Sequence, residues 1–219
     1  MIINHERPEY IKARAKIGKG KWNGAYYYSI EICERIIPLI ETDRNWITVN
    51  IDKEQIGCDH AIVFIHNHVF CPDCYEWMKK YDDLIMVCSD RDDMPKLEHL
   101  GTPIYLPLSV DVEYVKQFRA EKTRETAFAG RMIKGGQLPA GVDYICHLPR
   151  EQFLKEMAKY KRVYAVDRCA IEAMILGCDV LKYDLKNNGE RIIDNAEAAV
   201  MLQEELDRID GKGIRETIL

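Results

Sequence analysis

The stretch KRVYAVDRCAIEAMILGCDVLKYD, residues 161–184, holds two apolar runs with one helical period between them. KRVYAV (161–166) is short and rich in β-favouring residues, so it reads as a strand. RCAIEAMILG (168–177) is nearly all apolar and closes on a glycine, which suits a buried helix with its C-cap. CDVLKYD (178–184) reads as a strand again. A strand, a buried helix and a second strand in that order make a parallel βαβ unit, because parallel neighbours need a crossover of about this length.

The same alternation extends in both directions. Upstream lie strand TAFAG (126–130), strand VDYICH (142–147) and helix PREQFLKEMAKY (149–160). Downstream comes DNAEAAVMLQEELDRIDG (194–211), in which Asp194 and Glu197 fit a capping box, Ala199, Leu202, Leu206 and Ile209 form a stripe, and Gly211 fits a C-cap. The first half has its own set: NWITVNI (45–51), DHAIVFIH (59–66), DDLIMVCS (82–89) and TPIYLPL (102–108) read as strands. A first helix, AYYYSIEICERII, follows the glycine-bearing loop IGKGKWNG and ends near Pro38. The expected fold is α/β, with two small Rossmann-like, doubly wound parallel-sheet units covering residues 1–108 and 109–219. The charged stretch SVDVEYVKQFRAEKTRE, with little apolar stripe, is the expected hinge.

The chain has 219 residues and a formal net charge of −5. That excess of acid, with no long basic stripe, argues against a duplex nucleic acid partner. No apolar run is long enough to cross a bilayer and no secretory signal opens the sequence, so a soluble cytoplasmic protein is expected. The eight cysteines fall mostly inside apolar runs, where a free thiol acts as a small hydrophobe, and do not suggest a disulfide framework.

HNHVFCPDC (66–74) concentrates His66, His68, Cys71 and Cys74 after the strand AIVFI. A zinc site would use these ligand types, but structural zinc usually joins two separated pairs. A thioredoxin-like CxxC oxidoreductase would place such a dithiol at a helix start, where the dipole lowers the thiol pKa. Against both, Cys71, Cys74, Tyr75, Met78 and Tyr81 share one helix face, and core packing accounts for that stripe. HNH is then the loop beyond a buried strand.

Open parallel sheets bind ligands beyond the carboxyl ends of their strands, where helix N-termini offer donors to anions. Four loops have such positions: IGKGKWNG, HNHVF, GRMIKGGQ and VDR. In GRMIKGGQ, Arg131 and Lys134 stand among Gly130, Gly135 and Gly136, giving two cations on a backbone that can approach a diphosphate. A solvated turn with two surface cations is the alternative. In RCAIEAMILG, Glu172 is a carboxylate in a buried helix and needs a partner or a ligand. Either Arg168 pairs with it at i, i+4, or it accepts ligand hydroxyls while the helix N-terminus at Cys169 and Ala170 receives a phosphate.

These segments resemble the GT-B glycosyltransferases, the group-1 or family-4-like retaining enzymes. LPLSVDVEYVKQF is similar to the family's "pNGVDtelF" element, AFAGRMIKGG to "fvGRl..KG", HLPREQFLKEMAKYKRVYAV to "G.vs.eel..ly..advfv", and IEAMILGCDVL to "lEAmacGtPVv". The resemblance covers about residues 100 to 185. In the first half, DHAIVFIHNH followed by LIMVCSD is similar to "DvvhaH…vvtvSd", which would place His66 or His68 at a cleft between the units and Ser89 on a loop facing it.

The resemblance implies a metal-independent transfer of a sugar from a nucleotide-sugar donor, with no cofactor. It implies Gly130, Arg131, Lys134 and Arg168 as donor-binding residues, Glu172 as the ligand of the donor ribose, and His66 or His68 as the group that handles the acceptor hydroxyl. Many relatives carry a second glutamate that contacts the donor sugar; its place here is taken by Tyr164. That departure leaves a second expectation open, a nucleotide or nucleotide-sugar binding protein of the same fold without transfer activity.

Overall fold

The computed structural model describes residues 2–3, 31–48, 60–65, 82–130, 140–146, 148–181 and 191–211. Nine strands among them form two parallel sheets, so the α/β class holds. The chain divides into two compact units, one containing Tyr27–Pro107 with Ala196–Leu219 and the other Leu108–Asn195.

The first sheet holds β1 (Ile2–Ile3), β2 (Asn45–Thr48), β3 (His60–Ile65), β4 (Asp83–Cys88) and β5 (Thr102–Tyr105), in that order. Every neighbouring pair is parallel. β3 and β4 are buried at every position after the first, as continuous apolar strands covered on both faces must be. Trp46 stacks on Phe64 with ring centroids 5.8 Å apart. Gly101 enters β5 so close to β4 that a Cβ there would lie 2.4 Å from the Leu84 carbonyl oxygen. Before β2, a π-helical turn (Ile32–Ile36) tightens into a 3-10 turn (Ile37–Leu39) around Pro38, which has no amide to continue the helical ladder.

In this sheet the described strands follow chain order without a reversal, so the doubly wound expectation does not hold for it. It holds for the second. There β6 (Arg124–Ala129), β7 (Asp143–Ile145), β8 (Tyr160–Tyr164) and β9 (Asp179–Leu181) lie in the order β7-β6-β8-β9, all parallel. The chain moves from β6 to one side, returns across it to β8, and continues outward to β9. Strand order reverses between β6 and β8.

Short helices connect these strands: α1 (Met94–Leu97) and α2 (Val112–Lys116) precede β6, α3 (Arg150–Met157) joins β7 to β8, and α4 (Asp167–Ile175) joins β8 to β9. α4 buries Ala170, Ile171, Ala173 and Ile175, as its apolar sequence requires. The expected hinge is instead fastened into the second unit. Val115 of α2 is buried, Arg119 Nε donates to the Ile175 carbonyl at 2.6 Å, and Lys122 Nζ donates to the carbonyls of Ala158 (2.8 Å) and Leu176 (2.9 Å). Arg119 and Lys122 cap the carbonyl ends of α3 and α4, where the helix dipoles favour positive charge.

The last helix, α5 (Asn195–Ile209), buries Ala199, Leu202 and Leu206 as its stripe predicts, and Gly211 follows at φ +68°. Asp194, expected in a capping box, accepts from the Val112 amide at 3.1 Å. Residues 109–219 were expected to form one unit, but α5 belongs to the first. Gln203 exchanges two hydrogen bonds with the Glu41 backbone (2.7 and 3.2 Å), and Arg44 joins Asp210 at 2.8 Å while also pairing with Asp83. Among the described residues, no helix is long and apolar enough to cross a membrane.

Candidate functional site

The reversal in the second sheet sets where a ligand can enter. β7 and β9 lie on opposite sides of the β6/β8 pair, and open parallel sheets bind ligands beyond the carboxyl ends of such a pair. Gly130 directly follows β6, and α4 begins after Ala165 and Val166 at the end of β8. Phe128 is in register with Tyr164 and Ala129 with Ile145, so the three strands end nearly level. The start of α3 stands at the same edge, following β7.

Gly130 and α4 approach closely. Gly130 has φ +115°, and a Cβ on it would lie 3.5 Å from the Cys169 sulfur. Its backbone conformation favours a residue without a side chain, while a Cβ would make only ordinary contact with the first turn of α4. Asp167 opens α4 at φ +51°, a left-handed conformation that aspartate tolerates better than most residues. Val166 supplies no side-chain cap, and the Ala170 amide donates to the Val166 carbonyl at 3.3 Å. The positive end of α4 therefore lies next to the end of β6.

Inside that edge sits an ion cluster. Glu172 is 1% exposed and receives the Arg150 guanidinium in a two-pronged grip, Nη1 to Oε2 at 2.7 Å and Nη2 to Oε1 at 2.5 Å. Arg168, one turn earlier on α4, brings its Nε within 3.1 Å of the same Oε1. Burial works to raise the Glu172 pKa, but the Arg150 and Arg168 guanidiniums outweigh it and hold the carboxyl below its ordinary value. Glu172 is thus an anion between two cations. The Cys169 thiol is pushed up to about 12, chiefly by burial and then by Glu172. It stays protonated at neutral pH and is no nucleophile.

Only some of the expected site residues lie among the described ones. Gly130, Arg168 and Glu172 come together at this edge, with Tyr164 ending β8 beside them. Arg131, Lys134, His66, His68, Cys71 and Cys74 lie outside the described residues. Of the two partners weighed for Glu172, the i, i+4 contact with Arg168 is present, and Arg150 is a third group that spacing did not reveal. A signal for it existed: Arg150 is a cation in the first turn of a helix, against the dipole, and such a residue is placed there by a partner elsewhere.

A surface groove of about 640 Å³ runs along β7 of the same sheet and along α3, from Arg124 and Tyr160 to Ile145, Leu148 and Gln152. Its cations are already engaged: Arg124 and Lys159 reach Glu156 at 2.6 and 2.7 Å, and Tyr160 donates to Asp143 at 2.9 Å. It follows the edge strand β7, whereas the reversal lies between β6 and β8. Size favours the groove and chemistry favours the β6/β8 edge, and chemistry decides. Among the described residues, no cluster of three or more His, Cys, Asp or Glu side chains could hold a metal ion. Comparison with protein families, curated proteins and solved structures found no match to this chain.

Proposed function

We propose that the second unit binds the nucleoside diphosphate of a nucleotide sugar at the β6/β8 edge, and that the protein is a metal-independent glycosyltransferase of the GT-B kind. The observation that supports this reading is the strand reversal, with Gly130 and the first turn of α4 next to each other at that sheet edge and Glu172 on the same helix. In this reading the diphosphate lies against the backbone at Gly130 and the positive end of α4, with Arg131 and Lys134 following directly in the chain as its clamp. Positive charge there stabilises the leaving nucleoside diphosphate, where charge develops as the glycosidic bond breaks. Glu172 serves the ribose hydroxyls, and His66 or His68 accepts the proton of the acceptor hydroxyl.

A specific observation favours a second reading, a nucleotide-sugar binding protein without transfer. Tyr164 stands where the resemblance places the glutamate that contacts the donor sugar. Incubation with a panel of UDP-, GDP-, TDP- and ADP-sugars separates the two. Transfer or slow hydrolysis that releases a nucleoside diphosphate, lost in His66→Ala or His68→Ala while nucleotide binding persists, is expected of the enzyme. Binding of a nucleotide sugar that is recovered intact would leave only the second reading.

A further inference from the structure

We infer that Arg150 is the gate of the nucleotide subsite: it pairs with Glu172 and moves to the diphosphate when a nucleotide binds, releasing Glu172 for the ribose. This rests on the proposed diphosphate site at the β6/β8 edge and adds a residue and a sequence of events to it. A carboxylate that is 1% exposed and gripped on both oxygens cannot reach a ribose hydroxyl where it stands. One of its cations must first let go.

Arg168 is the poorer candidate for leaving. It sits on the same helix as Glu172, its side chain is 10% exposed, and it reaches the carboxylate through Nε. Arg150 comes from a different helix, its side chain is 14% exposed, and it starts the first turn of α3 at the very edge where the strands end. Its planar fork matches a diphosphate as well as it matches a carboxylate, so the exchange replaces one bidentate partner with another. The exchange breaks no covalent bond and moves no proton. Glu172 meanwhile keeps Arg168, so it is not left as an unpaired buried charge.

The test is a double-mutant cycle on pyrophosphate affinity, measured by calorimetry on the full chain with Arg150→Gln, Glu172→Gln and the double variant. Pyrophosphate isolates the anion step because it has no ribose. Arg150→Gln should weaken pyrophosphate binding about tenfold or more, the loss expected for a bidentate charged contact. Glu172→Gln should tighten it by releasing Arg150, and that gain should vanish in the double variant. An equal gain with and without Arg150 would mean a general charge effect and would overturn the gate, as would an Arg150→Gln variant that binds like wild type. Folding of each variant is read from near-UV circular dichroism. Where Arg150→Gln does not fold, Arg150→Lys, which keeps the charge and loses the fork, should still weaken pyrophosphate binding, and unchanged affinity there would overturn the gate too. A wild-type protein that binds neither pyrophosphate nor UDP, GDP, TDP or ADP would remove the diphosphate site itself, and the gate with it.

Discussion

Glu172 is a carboxylate that its helix can bury only in company. Removing it leaves two guanidiniums packed against each other in a dry place, and breaking a buried ion cluster from one side typically costs about 3 to 5 kcal/mol. Glu172→Ala should therefore destabilise the second unit by that order, measured by urea unfolding at neutral pH. The pH dependence has a definite sign. The folded pKa of Glu172 lies below its unfolded value, so its contribution is fully present above the unfolded carboxylate pKa of about 4.3 and is lost as pH falls through the folded one. The acid unfolding limb of wild type should be steeper than that of Glu172→Gln, which has no proton to take up. What could be read in the sequence at this scale was the demand of Glu172 for a partner. Arg168 was visible one turn away, whereas Arg150 was not, because a contact across 22 positions depends on which strands lie side by side.

Elements were the most readable level, and their departures have local causes. Every strand foreseen within the described residues is present, because uninterrupted apolar runs such as AIVFI and LIMVC have few alternatives to a buried parallel strand. The stretch 109–125 was expected to be a hinge because it is charged and has little apolar stripe, but Lys122 ties it to its neighbours. Its ammonium joins the ends of α3 and α4 through Ala158 and Leu176, and it lies 3.1 Å from the Cys178 sulfur. Lys122→Met should cost about 1.5 to 3 kcal/mol, the range for hydrogen bonds to a charged group, with faster amide exchange at the carboxyl ends of both helices. Gly101 makes a different demand. With a Cβ due 2.4 Å from the Leu84 carbonyl oxygen, Gly101→Ala must push β5 away from β4 and should lower stability by about 1 to 3 kcal/mol. A wild-type midpoint in urea for either variant would show that the contact is not needed.

At the scale of the whole molecule, two features were invisible to periodicity. One is strand order: runs of similar composition give no sign that the first sheet follows chain order while the second reverses between β6 and β8. The other is the return of α5 to the first unit, decided by Glu41 and Arg44, which are ordinary surface residues in the sequence. Truncation after Asn195 should therefore raise hydrogen exchange in β2 to β5 and leave β6 to β9 protected. The two fully buried leucines of α5, Leu202 and Leu206, alone represent about 3 to 6 kcal/mol of burial.

The reversal in the second sheet is what singles out one of its ends as the proposed nucleotide site. Hydrogen exchange of the full chain, with and without saturating UDP, GDP, TDP or ADP, tests it most directly. With the nucleotide that binds, the account predicts slowed exchange at Gly130 and through the first turns of α4 and α3, and little change around Arg124 and Tyr160 at the other end of the sheet. Protection centred on the Arg124 end, or no change anywhere with all four nucleotides, would contradict it.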